Sequence, residues 1–233
     1  MSQYRIKGHE EHILTNVKGP KADRKTVLEK EDIERMLNRA ESFEKEYFKL
    51  RSRALVSLFV SGKRRAEVAS LEKNDLEHKN GFLYVTFSVV KKRRKNVLVT
   101  RRSKRYPVSS KYAQHIFAYL SWMEAHHPEC RYLFPSTHNV FGVNLAFSKD
   151  QHVSGRQVLR EVQKMDPNAW CHLFRETRGA EVVRKDESEK GHADFFTVYK
   201  VKQTLNLERT ETAWRYVDRY ATETLGEAHD TID

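Results

Sequence analysis

From Val27 onward the apolar positions fall into helical register. Ile33, Met36, Leu37 and Ala40 recur at spacings of three and four, behind the acids Glu29, Glu31, Asp32 and Glu34, which suit the positive end of a helix dipole. A second helix is expected over about 44–60, with Phe48, Leu55, Leu58 and Phe59 on one face and Ser61-Gly62 ending it. A short helix follows at about 65–71. The run GFLYVTFSVV at 81–90 is dense in β-branched and aromatic residues and reads as a strand, with 96–100 and 106–108 as its partners. Further helices are expected at about 109–126, 139–148, 154–164, 172–185, 194–205 and 208–223. The pattern describes a mainly α chain with one small antiparallel β-sheet. Residues 1–26 carry Gly8, Gly19 and Pro20 and no sustained periodicity, so they read as a flexible polar arm before one domain over 27–233, which ends in a tail.

Charge changes this picture more than size does. The chain holds 43 Lys and Arg against 32 Asp and Glu, a formal net charge of +11, which favours polyanionic partners. The excess is concentrated in KKRRKNVLVTRRSKR, residues 91–105, with nine basic residues and no acid. Sequence neighbours cannot neutralise such a hairpin. Either solvent covers it, or Arg93, Arg94, Lys95, Arg101, Arg102, Lys104 and Arg105 meet phosphates, which is the reading preferred here. Cys130 and Cys171 form no CxxC pair, which argues against a structural zinc site and fits a reducing compartment. No signal-peptide pattern or membrane-length apolar run occurs, so a cytoplasmic protein, nucleoid-associated when bound to DNA, is expected.

Metal-free phosphoryl transfer on DNA needs an in-line nucleophile, cations on the non-bridging oxygens and an acid for the leaving oxygen. Arginine suits the second role, because its planar fork grips two oxygens and keeps its proton. Three segments offer such groups. In Ser61-Gly62-Lys63-Arg64-Arg65-Ala66-Glu67 an arginine follows a helix-ending glycine, with an acid one turn later. In His172-Leu173-Phe174-Arg175 a helix start sets His172 and Arg175 one turn apart, with Gly179 four positions on. In Leu205-Asn206-Leu207 through Thr212-Ala213-Trp214-Arg215-Tyr216, a tyrosine lies nine residues after Leu207. Each segment is weak alone: a surface arginine, a helix-start histidine and one of ten tyrosines are ordinary features. Their order and spacing together are not.

Across about residues 27–225 this order resembles the catalytic domain of the tyrosine recombinase, or phage integrase, family, with wording closest to archaeal integrases. The resemblance implies that Tyr216 is the nucleophile and that Arg64 and Arg175 hold the phosphate. It implies further that His172 assists proton transfer, Glu67 braces the site, and Lys91 or Lys92, which lie 27 and 28 residues after Arg64, protonates the leaving oxygen. Lys95 and Lys104 stay open as alternatives for that acid. Tyr199 and Tyr220 are rivals of Tyr216 that miss the spacing. The sequence departs from the family at Leu207, where a histidine, tryptophan or lysine is usual; Arg178, Lys202 or Arg209 is expected to fill that gap. The arm at 1–26 stands where the family carries a helical domain that closes around DNA. The implied protein is a site-specific DNA recombinase working on double-stranded DNA through a 3′-phosphotyrosyl link. It is expected to act as a dimer or tetramer assembled through the C-terminal segment, with no cofactor, metal or membrane. A DNA-binding protein of the same fold without catalysis is the alternative. A metal-dependent nuclease is a third reading, but no carboxylate set with metal-ligand spacing supports it.

Overall fold

The computed structural model describes residues 26–93, 96–140 and 144–222. Helix α1 is Lys30–Glu41, α2 is Glu46–Phe59 and α3 is Arg65–Ala69. A 3-10 turn at Lys73–Asp75 leads into strands β1 (Leu76–Lys79), β2 (Phe82–Arg93) and β3 (Asn96–Pro107). Then come α4 (Lys111–His126), β4 (Pro135–Val140), β5 (Asn144–His152), α5 (Gly155–Met165), α6 (Cys171–Lys190), α7 (Phe195–Leu205) and α8 (Thr210–Tyr220). The chain is thus mainly helical. Its strands make two antiparallel sheets rather than the one expected, in the orders β1-β2-β3 and β4-β5.

The helix expected over 139–148 is not there. This stretch belongs to the β4-β5 hairpin, in which Thr137 pairs with Phe147 and Asn139 with Leu145. The reason is legible after the fact: Phe141, Val143, Leu145 and Phe147 alternate with period two, which is a strand pattern and not a helical one. The segments read as separate partner strands at 96–100 and 106–108 are one continuous β3, paired with β2 from Phe82↔Pro107 to Arg93↔Asn96. Leu83, Val85 and Phe87 on β2 point into the body and are fully buried. Lys104 and Tyr106 lie opposite Val85 and Leu83.

The apolar core falls into two clusters. The larger runs from Leu28 through α2, the β2 face and α4 to Phe174 on α6. The smaller holds Val183, Ala193, Val198, Val201, Leu205, Ala213, Tyr216 and Val217, between α6, α7 and α8. Helix α6 serves both and so joins them. Its end is set by Gly191 at φ 84°, and α7 begins at Asp194, whose carboxylate accepts from the Thr197 backbone N–H at 2.9 Å. Asn206 ends α7 in the left-handed region at φ 51°, where asparagine is tolerated better than most residues. Cys130 and Cys171 are buried free thiols. Among the described residues no helix is long and apolar enough to cross a membrane.

Candidate active site

Three segments far apart in sequence meet where the N-terminal half of α6 faces the α2–α3 turn and the α7–α8 turn. Gly62 takes φ 75° there, and a Cβ on it would come within 2.9 Å of Leu205 and 3.1 Å of Arg178. The turn therefore needs glycine for both conformation and space. It delivers Arg64 to the start of α3. The Arg64 guanidinium donates to Glu67 Oε1 at 2.9 Å, and its backbone N–H donates to Glu67 Oε2 at 3.1 Å. Glu67 is buried while Arg64 stays open to solvent, so the acid fixes the arginine without covering it.

Arg175 is only 3% exposed. It donates to the Gly62 carbonyl at 2.7 Å and, through its other terminal nitrogen, to the Leu205 carbonyl. One guanidinium thereby ties α6 to both turns. Burial and the nearby Arg64 charge pull its pKa down from the ordinary arginine value, against opposing pulls from Tyr216, Glu67 and Glu176. Tyr216, on α8, is 6% exposed. Its ring lies on Gly179, where an added Cβ would sit 2.2 Å from one ring carbon and 2.4 Å from the next. Burial, the Glu176 charge and the hydrogen bond to Glu176 push the phenol pKa up to about 12, while Arg175 pulls it down.

Of the three candidate tyrosines, Tyr216 is the one placed in the field of Arg175. Tyr220 lies one turn further along α8, its ring 6.3 Å from that of Tyr216, and answers to Glu176 and Arg219 instead. Tyr199 is exposed on α7. His172 projects from the start of α6, largely exposed, with Nε2 3.0 Å from Glu176 Oε1.

Two residues of this neighbourhood went unremarked in the sequence. Glu176 follows Arg175 directly. Its Oε1 meets both His172 and the Tyr216 hydroxyl, the latter at 3.4 Å; its Oε2 accepts from Tyr220 at 3.3 Å and lies 3.5 Å from Arg219. These cationic and hydroxyl partners hold the carboxyl below its usual range in spite of burial. The i,i+4 relation to His172 was the available signal. Lys63 is the other. It is 1% exposed, lies 4.5 Å over the Phe87 ring, and donates at 3.1 Å to the Asn206 amide in the orientation that satisfies both ends of that amide. Burial lowers its pKa to about 8, with Lys104, Arg175 and Arg64 adding to the fall and Glu67 resisting it. Nothing in the sequence pattern marks a lysine there as buried.

Lys104 is turned inward from β3 and donates to the Thr204 carbonyl at 3.0 Å; burial, Arg178 and Arg175 all lower its pKa. The other basic residues of the hairpin divide. Arg101 reaches across to Asp75, and Arg105 lies 5.2 Å over the Phe82 ring. Arg102 faces a cavity of about 260 Å³ that it lines with Thr100, Lys202, Asn206, Leu207 and Glu208. The side chains of Lys91, Lys92 and Arg93, and the whole of Arg94 and Lys95, lie outside the described residues. Leu207 donates its backbone N–H to the Lys202 carbonyl and packs against the smaller core cluster. Of the residues expected to fill its place, Arg178 is paired with Glu181 and Lys202 donates to Thr210. Lys63, buried, and Lys104, half-buried, are lysines beside this turn. Chemically, the arrangement sets the open Arg64 guanidinium and the buried Arg175 guanidinium, which acts by charge on Tyr216, where they can attract an oxyanion. Among the described residues no group of three or more His, Cys, Asp or Glu side chains is placed to hold a metal ion.

The family model described as the phage integrase family matches residues 26–187, more than half of the chain. The chain belongs to the phage integrase family. That match takes in the segments of Arg64, His172 and Arg175; Tyr216 lies beyond it. Comparison with curated proteins gives no match. Among solved structures, this integrase-family chain resembles the XerH site-specific recombinase bound to its difH substrate in a pre-cleavage complex. The sequence identity is 16% and the TM-score 0.57, over 90% of this chain and 53% of that one. It also resembles the Tn1549 transposon integrase in complex with transposon right end DNA, at 13% identity and a TM-score of 0.53, over 93% of this chain and 68% of that one. The chain spans about half the length of the XerH chain. At these identities the likeness shows the fold, which is that of a tyrosine recombinase catalytic domain.

Proposed function

We propose that this chain cuts and rejoins double-stranded DNA as a site-specific recombinase, through a 3′-phosphotyrosyl link on Tyr216. The observation that carries the reading is Arg175, whose guanidinium ties α6 to the turns before α3 and α8 and whose charge acts on both Arg64 and Tyr216. Arg64 and Arg175 bind the non-bridging oxygens and offset the charge that develops on them. His172, exposed at the start of α6, contacts the same phosphate, and Glu67 holds Arg64 in place. Lys91 or Lys92 protonates the departing 5′ oxygen. The energy of the broken bond is kept in the phosphotyrosine, so attack by the 5′-hydroxyl of another strand completes recombination without ATP, cofactor or metal.

Arg93, Arg94, Lys95, Arg102 and Arg105 meet the DNA backbone, Arg101 less so because Asp75 already answers its charge. XerH and the Tn1549 integrase were both solved as DNA complexes, which supports a DNA partner here. The C-terminal segment joins protomers on DNA; the arm expected at 1–26 lies, but for Thr26, outside the described residues. The protein works in the cytoplasm, on the nucleoid. Leu207 favours one other reading, a DNA-binding protein of this fold with a depleted site. Incubation with a pool of nicked duplexes in EDTA separates the two. The recombinase gives a denaturation-resistant adduct that Tyr216→Phe abolishes while DNA affinity is kept, whereas the binding protein gives none.

A further inference from the structure

A phenol that attacks phosphorus must lose its proton, and His172, the group expected to assist proton transfer, lies 3.0 Å from Glu176 Oε1, the same oxygen that meets the Tyr216 hydroxyl. The Tyr216 hydroxyl donates to Glu176 Oε1 at 3.4 Å. We propose that Glu176 is the general base of the cleavage step, taking the Tyr216 proton as the phenolic oxygen bonds to phosphorus. The inference rests on the phosphotyrosyl reading above.

The placement is specific. Glu176 Oε1 meets the Tyr216 hydroxyl, and the Arg175 charge acts on both the phenol and the carboxylate, so the acceptor, the nucleophile and a phosphate-binding cation share one neighbourhood. The groups facing the carboxylate are His172 and Arg175 on α6 and Tyr216, Arg219 and Tyr220 on α8. Arg219 offsets its charge, His172 Nε2 lies 3.0 Å from Oε1, and Tyr220 anchors the second oxygen. The same partners keep the carboxyl below its ordinary range, so it is ionised and ready to accept at neutral pH.

With the phenol at about 12, the proton stays on Tyr216 in the resting site. It moves late, once O–P bond formation has drained the phenolic oxygen of its basicity. A lone pair of the Tyr216 oxygen forms the O–P bond; the O–H bond then breaks with its electron pair left on that oxygen, and the proton goes to Glu176 Oε1. The P–O5′ bond breaks, and the 5′ oxygen leaves with that electron pair and takes a proton from the hairpin lysine. In rejoining, the 5′-hydroxyl attacks phosphorus and gives its proton back to the lysine, and Glu176 returns its proton to the leaving phenolate.

The test is single-turnover adduct formation by wild-type protein, Glu176→Gln and Glu176→Asp on the nicked duplex pool, from about pH 6 to 8. Glutamine keeps the shape and one acceptor oxygen, presents an N–H to the other tyrosine hydroxyl, and cannot take a proton. The expected result is a fall of about 10²-fold at neutral pH with DNA affinity unchanged, in the range of general-base effects. The Gln rate should then climb about tenfold per pH unit, as the phenolate fraction does, while the wild-type rate stays nearly flat. Glu176→Asp should be intermediate and flat, and it carries the comparison if the Gln protein melts early. A Gln variant as fast as wild type, or faster, would overturn the inference and make the carboxylate a latch on Tyr216. A slow variant, Gln or Asp, whose pH profile contradicts these expectations would also overturn it, reducing Glu176 to a positioning residue. Absence of any wild-type adduct would sink the recombinase reading and this inference together. A wild-type adduct with an unaffected Gln variant sinks this inference alone.

Discussion

Gly179 sits inside α6, where alanine would ordinarily stabilise a helix by about 0.5–1 kcal/mol. Here the incoming Cβ would land on the Tyr216 ring, so the sign should reverse. Gly179→Ala is expected to lower stability by about 1–3 kcal/mol, the usual range for overpacking, and to suppress adduct formation while DNA binding persists. Thermal melts and adduct yields check this, and a more stable, fully active variant would contradict the packing described. Lys63 should behave in the opposite way. Its ammonium is buried at a pKa of about 8, below the ordinary 10.5, so the unfolded chain binds more protons between those values and wild-type stability rises with pH there. Lys63→Met should therefore raise Tm at pH 7, with the gain shrinking as pH climbs from 8 towards 10.5. If Lys63 supplies the phosphate contact missing at Leu207, the same variant should lose about 10²–10³ in cleavage rate and Leu207→His should add little to wild type. A Lys63→Met protein that is more stable and equally fast would leave the gap at Leu207 unfilled by this residue. Both of these residues show what one sequence hides. Gly179 could be matched as a small residue in a pattern, but its contact with Tyr216 depends on how α6 and α8 cross, and the burial of Lys63 on how the α2–α3 turn meets Phe87 of β2 and Asn206 at the end of α7.

At the scale of elements, the helical periodicity located every helix among the described residues to within a few positions, because each buries a stripe against the core. It fails at 139–148, where the described residues on either side of 141–143 pair as β4 and β5 in place of the expected helix. The β2-β3 hairpin was legible as strands, but the direction of each basic side chain was not. Alternation along β3 sends Lys104 inward beside the α7–α8 turn, while Arg101 meets Asp75 and Arg105 covers Phe82. The salt dependence of DNA binding should reflect that division. Arg102→Gln and Arg105→Gln should each flatten the log–log slope by about 0.9, as for the loss of one phosphate contact, and Arg101→Gln by less. Equal effects from all three would mean that the Asp75 pair opens on DNA. No effect from Arg101 and Arg105 would turn their face of β3 away from the duplex, and none from Arg102 the opposite face.

Over the whole molecule, α6 joins the two core clusters and carries Arg175, Glu176 and Gly179, so the site stands on the helix that both halves of the fold bury. The order of the three sequence boxes was legible because family spacing fixes it. The Glu176 cluster was not, because its partners come from α8 and meet it only after folding. Assembly belongs to this scale too. Residues 223–233 lie outside the described residues. If the C-terminal segment joins protomers, deleting 224–233 should reduce the size of the DNA complex and leave single-protomer binding intact, which sizing on DNA would report. Unaltered assembly would remove that segment from the account. The central claim is that Tyr216 becomes covalently joined to DNA. Its most direct test is to trap the adduct on nicked duplexes in EDTA, digest the protein and locate the nucleotide by mass spectrometry. The account predicts a 3′-phosphonucleotide on the peptide containing Tyr216, fragmenting at that residue and lost in Tyr216→Phe. An adduct mapped to Tyr220 or Tyr199, or none formed by wild-type protein, would contradict it.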